Sequence, residues 1–243
     1  MVLVKTKIAW AALWLLLLGL AVAWRVQNLN SFGLSNDEGV YLMWGRLVAD
    51  GYPLYRDTVA VQPPLFFETL ALAFRLFGDT LRVGRWTMLA GFGLLAAGLS
   101  WLAYQTGRWP AAISALVLLA LAPLVFTFSR LAMAEIPATA LAVLAIALLM
   151  VYTQRPHWGW LVASGLLLGL SLIFKTLNPF VVAPAAVLLM LHHTLPQQVN
   201  VAAQLVSPHK HWRRLLLDGA AWGAAAALPV ALVFVLYDSA TAY

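Results

Sequence analysis

The sequence predicts an all-α membrane protein of about seven transmembrane helices, and three observations carry that prediction. Hydrophobic residues make up 63% of the 243 positions and charged residues only 10%. A soluble domain holds about 45–50% and about 25%, so the charges here are too few to cover a water-facing surface. The apolar residues fall into long runs, a span needing roughly 20 of them, and the charges collect at the ends of those runs. The 11 tryptophans, 11 phenylalanines and 7 tyrosines exclude a disordered chain. The lack of cysteine excludes disulfide scaffolds, thiol catalysis and cysteine metal sites.

Read between charges, the predicted spans are Ile8–Trp24, Val83–Tyr104, Ala111–Phe128, Leu131–Tyr152, Trp158–Phe174, Leu177–Leu191 and Leu215–Leu236. Residues 1–24 form the first helix, residues 25–82 a long outer loop, and residues 83–243 a six-helix region. With the N-terminus in the cytoplasm, the inner segments carry Lys5, Lys7, Arg108, Arg155, Lys210, Arg213 and Arg214, with Asp218 the one acid near them. That is the positive-inside distribution, and it sends residues 25–82 outside. A secretory signal cleaved after Ala21-Val22-Ala23 is the rival reading of the first run; it also sends residues 25–82 outside. The net charge of +6 is scattered over span ends and forms no stripe, which excludes a nucleic-acid surface.

Six of the nine acids lie in the outer loop. Ser35-Asn36-Asp37-Glu38 has the spacing of a capping box, ahead of Val40, Met43, Trp44 and Leu47 on one helical face. The helix it opens presents Asp37 and Glu38 in its first turn, where the helix dipole favours carboxylates. A second helix starts at Pro63-Pro64 and stops at Gly78. Both are read as amphipathic helices lying in the membrane plane.

Beyond the loop, Arg130, Glu135 and Lys175 fall at the outer ends of spans. On a continuous helix, Arg130 and Glu135 would point about 140° apart. Each of these residues also has a plain structural reading. Asp37 and Glu38 suit a helix cap, Pro63-Pro64 a helix start, Arg130 and Lys175 snorkelling cations, and Glu135 a partner for a neighbouring span. The pair Gly165 and Gly169 suits helix packing, and His192, His193, His209 and His211 fall in a cytoplasmic polar stretch.

At these residues the chain resembles the GT-C superfamily of membrane glycosyltransferases, in the branch of protein O-mannosyltransferases and the lipid A aminoarabinose transferase. The likeness rests on Asp37-Glu38 opening the first outer loop, Gln62-Pro63-Pro64-Leu65 further on, Arg130 and Glu135, and Lys175 after the Gly165–Gly169 span. It covers roughly residues 8–195, with Gln62 standing where many relatives carry a basic residue. The resemblance implies a polyprenyl-phosphate-linked sugar donor and an acceptor not specified by the sequence. It also implies a site on the outer or periplasmic face of the plasma (inner) membrane. It implies catalytic roles for Asp37, Glu38 and Glu135, with Asp37 as general base of an inverting transfer. Substrate binding falls to Arg130, Lys175, Gln62, Pro63 and Pro64. No cofactor is expected, although converging carboxylates leave room for a divalent metal. Relatives continue past a seventh span, so the chain reads as the N-terminal portion of such an enzyme. A transporter or flippase fragment and a non-catalytic membrane remnant are the alternative readings.

Overall fold

The computed structural model describes residues 2–31, 33, 35–57, 60–176, 179–194 and 208–237; the side chains of residues 2–5 and 208–211, and so Lys5, His209 and His211, lie outside this set. The chain is all-helical. Its elements are α1 (Val2–Val26), α2 (Asn36–Ala49), α3 (Pro64–Phe77), α4 (Leu81–Leu121), α5 (Pro123–Phe128), α6 (Glu135–Gln154), α7 (Trp158–Phe174), a 3₁₀ turn at Pro179–Val181, α8 (Val182–Thr194) and α9 (Pro208–Leu236).

Local chemistry sets the loop helices. Ser35 caps α2, its hydroxyl accepting from the Glu38 backbone N–H at 3.2 Å. Pro64 opens α3 at a position that needs no N–H, and Gly78, at φ 92°, ends it. The two pack through an aromatic cluster in which Tyr41 meets Phe66 edge-on, with ring centroids 5.4 Å apart. The face of α2 turned to this core carries Tyr41, Gly45 and Val48. Val40 and Met43, on the apolar face read from the sequence, are 38% and 52% exposed. In a chain this apolar, the greasy stripe of a helix marks its lipid side as readily as its protein side.

By length and apolarity, four helices among the described residues can cross a membrane: α1, α4, α6 and α9. The count of seven is not reached by length and apolarity alone, since the two limbs of α4 count as one helix and α7 and α8 are shorter. At 17 and 13 residues, α7 stands at the lower limit of about 17 for a span and α8 below it. The start of the predicted span Leu177–Leu191 lies outside the described residues. The second and third predicted spans are one helical element, α4, bent at Gly107 and Arg108. The bend reverses the chain. The Arg25 guanidinium stacks 3.8 Å from the Phe92 ring and donates to the Ala120 carbonyl at 3.0 Å. Those two residues would be about 42 Å apart along a straight helix. Pro110, lacking an N–H, starts the returning limb.

The fourth predicted span begins late. Residues 129–134 form a turn, and α6 starts at Glu135. Arg130 and Glu135 thus do not share a helix, and the 140° relation does not apply. Serine hydroxyls tie the helices together: Ser171 donates to the Ala138 carbonyl at 2.8 Å and Ser164 to the Ala145 carbonyl at 2.7 Å. Gly165 and Gly169 lie against α9, where a side chain at Gly165 would meet the Trp222 carbonyl. At its far end α9 reaches the loop helices, the Tyr237 hydroxyl donating to Glu68 at 2.8 Å.

Candidate active site

Four segments meet at the loop face of the bundle: the end of α1, the start of α2, the start of α4, and the 129–134 turn. Arginines and one carboxylate knit them together. Arg85, fully buried one turn into α4, donates from Nε to Glu38 Oε1 at 2.8 Å and from Nη2 to Oε2 at 2.7 Å. Its Nη1 donates to the Leu29 carbonyl. The Ala132 backbone N–H adds a third bond to Glu38 Oε1 at 2.8 Å. Glu38 is itself fully buried. A buried, bidentate guanidinium–carboxylate pair with its remaining lone pairs satisfied holds one geometry. The capping box is therefore half realised: Ser35 caps, while the Glu38 side chain turns away to Arg85.

Two more arginines flank this pair. Arg25 is buried, donating from Nε to Ser129 Oγ at 2.9 Å. Arg130, 7% exposed, donates from Nη2 to the Gln27 carbonyl at 2.7 Å. Burial, and then the Arg85 guanidinium, lower the Arg130 pKa. Arg130 thus lies between Arg25 and Arg85 in an electrostatic sense, and it is Arg85 that holds Glu38.

The neighbouring Asp37 points the other way. It is exposed and has no hydrogen-bond or ion-pair partner among the described residues. Glu135, at the start of α6, pairs with Lys175, just past the end of α7, and both are largely buried. Tyr41 lies between the two acids in an electrostatic sense. Burial first, and then the charges of Asp37 and Glu135, raise its pKa, while a hydrogen bond from Gln62 acts against them. That bond runs from Gln62 Nε2 to the Tyr41 hydroxyl at 3.0 Å, and the Gln62 carbonyl accepts from Tyr55 at 2.6 Å. Pro63 and Pro64 follow directly as the entry to α3.

The expected residues therefore share one end of the bundle but form three linked groups. These are Glu38 with Arg85, beside which Arg130 lies, Glu135 with Lys175, and Gln62 with Tyr41. Arg85, Arg25 and Tyr41 escape the sequence reading. An arginine three residues after Arg82, inside an apolar run, was the available signal for Arg85. Helical spacing from Asp37 was the signal for Tyr41. At the opposite end, His193 Nε2 lies 2.9 Å from Asp218 Oδ2, and Tyr152 donates to the same oxygen.

A helical bundle with long apolar helices, polar side chains gathered at one end and two loop helices over them defines a multi-pass membrane glycosyltransferase of the GT-C type once its relatives are considered. Residues 61–237, nearly three quarters of the chain, match the family described as dolichyl-phosphate-mannose-protein mannosyltransferase, and the chain belongs to that family. No curated protein and no solved structure matched it.

Proposed function

We propose that this chain transfers a sugar from a polyprenyl-phosphate donor to an acceptor at the outer or periplasmic face of the plasma membrane, with inversion and with Asp37 as general base. The observation that carries the reading is the divergence of two adjacent carboxylates. Glu38 is locked by Arg85 and Ala132, and Asp37 is left open to solvent on the turn that this lock immobilises. A base must reach its substrate, and a positioned one acts best from a rigid element.

The acceptor hydroxyl or amine attacks the anomeric carbon as its proton passes to Asp37. The bond from that carbon to the phosphate oxygen breaks on the opposite face, and the polyprenyl phosphate departs with the electron pair. Attack opposite the leaving group inverts the centre, as in inverting glycosidases. A phosphate is a weak base, so its departure needs charge neutralisation more than a strong acid. Arg130 and Lys175 supply it. Glu135 holds Lys175, Glu38 holds the Asp37 turn, and Gln62 donates to Tyr41, which lies in the field of Asp37 and Glu135. Pro63-Pro64 sets the direction in which α3 leaves Gln62. Because side chains neutralise the phosphate, transfer is expected to survive dialysis against a divalent-metal chelator.

The test is Asp37→Asn assayed with a polyprenyl-phosphate sugar in membranes. Loss of a general base costs about 10²–10⁴-fold in rate, while the amount of inserted protein stays at the parental level. Transfer at the parental rate would move the base elsewhere and sink this reading.

A further inference from the structure

An open groove of about 570 Å³ runs between α3 and the first turns of α4, lined by Leu72, Leu76, Phe77 and Trp86. Leu72, Leu76 and Phe77 are 57%, 65% and 74% exposed, so the groove opens on an exposed apolar face of α3. A smaller hollow of about 200 Å³, lined by Asn28, Asn30 and Ser31, sits between the end of α1 and the same turns of α4. Arg82 and Trp86 line both. The two are halves of one site, apolar on one side and polar on the other, with a guanidinium and an indole at the junction.

Arg82 has no hydrogen-bond or ion-pair partner among the described residues. The acid nearest in sequence, Asp79, is engaged by Arg46 at 2.9 Å. No carboxylate lines either half among the described residues. The site thus presents an unneutralised cation where a greasy channel meets hydrogen-bonding side chains, beside a tryptophan, the residue type that anchors at membrane interfaces.

We propose that this is a binding site for an anionic phospholipid with an uncharged, hydroxylated headgroup, such as phosphatidylglycerol, drawn from the surrounding leaflet. One acyl chain lies in the groove, the phosphate sits on Arg82, and the headgroup hydroxyls bond to Asn28, Asn30 and Ser31. Basic pockets at helix ends select anionic lipids in this way. A zwitterionic headgroup would bring an ammonium into a hollow without a carboxylate to receive it. The site is separate from the Glu38–Arg85 pair, because Arg85 turns inward while Arg82 and Trp86, four apart, face out. It is nevertheless coupled to that pair. Leu29 lines the hollow, and its carbonyl accepts from Arg85, so a bound headgroup steadies the turn that seats the buried ion pair. The proposal stands independently of the transferase reading.

The test is native mass spectrometry of the full chain, titrated with phosphatidylglycerol or phosphatidylethanolamine of matched acyl chains. Phosphatidylglycerol is expected to be retained preferentially. Arg82→Ala removes a charge-assisted bond and is expected to weaken phosphatidylglycerol retention about tenfold, with phosphatidylethanolamine unchanged. Leu76→Asp, at an exposed position, places a charge in the chain path and is expected to lower retention of both lipids. Equal retention of the two lipids by the parent chain would overturn the proposal, as would an unaffected Arg82→Ala protein. A polyprenyl monophosphate that displaces phosphatidylglycerol one for one would also overturn it, since the groove would then belong to the donor.

Discussion

Asp37 and Glu38 are adjacent in sequence and opposite in fate, which makes them separable by experiment. Glu38→Gln would leave the Arg85 guanidinium buried without its counter-charge. Breaking a buried pair from one side costs about 3–5 kcal/mol, so thermal unfolding of the solubilised variant should fall steeply. The double variant Glu38→Met with Arg85→Met removes both charges and should lose less than Glu38→Gln alone. Asp37→Asn should leave the unfolding curve near the parental one. Tyr41 offers a second check at this scale. Its phenol is held above the ordinary value of 10 by burial, with Asp37 and Glu135 adding to it. Folding therefore favours the neutral phenol. That contribution is intact below pH about 10 and is lost as pH rises from there through the raised value. An alkaline titration followed at 295 nm should show a late-ionising tyrosine that Tyr41→Phe removes.

Among the helices, the α7–α9 contact is the tightest test of packing. An added Cβ at Gly165 would fall 2.5 Å from the Trp222 carbonyl and 2.8 Å from the Ala225 side chain. Small residues let helices approach where no hydrophobic drive separates helix from lipid. Gly165→Val should therefore push the pair apart, at about 1–3 kcal/mol for overpacking. A lower denaturation midpoint in mixed micelles would report it. Gly223, with open space around it, should accept Ala without such a loss. The same scale shows where sequence reading succeeds. Pro64, Gly78 and the Gly165–Gly169 pair act through their own backbone or bulk, so their roles were legible. The short connection at residues 105–110 matches the Gly107–Arg108 reversal, whereas residues 131–134, predicted as helix, lie in the 129–134 turn. No proline or glycine occurs in the latter, and its shape depends on Ala132 giving its N–H to Glu38 from 94 residues away.

For the whole molecule, topology is the open quantity that charge and contact address together. The Tyr237 hydroxyl meets Glu68, so the end of α9 lies at the same end of the bundle as α3. The positive-inside count places that end outside. The chain has no cysteine, which permits single reporters. Asp57→Cys should react with an impermeant maleimide on intact cells, and Arg155→Cys only after lysis. The reverse pattern would invert the topology and put the candidate site in the cytoplasm.

The sequence by itself determined the membrane class, the two loop helices, and the gathering of acids and span-end cations toward one face. Composition, capping residues and charge counts are local or additive properties, and they survive without knowledge of contacts. The tertiary structure decided which carboxylate is free. Helix-start chemistry treats Asp37 and Glu38 alike, and only the arrival of Arg85 and of the Ala132 amide from distant segments separates them. It also decided that Glu135 and Lys175 pair across two helices and that Tyr41 lies in the field of both Asp37 and Glu135. Long-range pairing leaves no periodic trace in a sequence, because a buried charge is stabilised by whatever partner the fold delivers, at any separation along the chain.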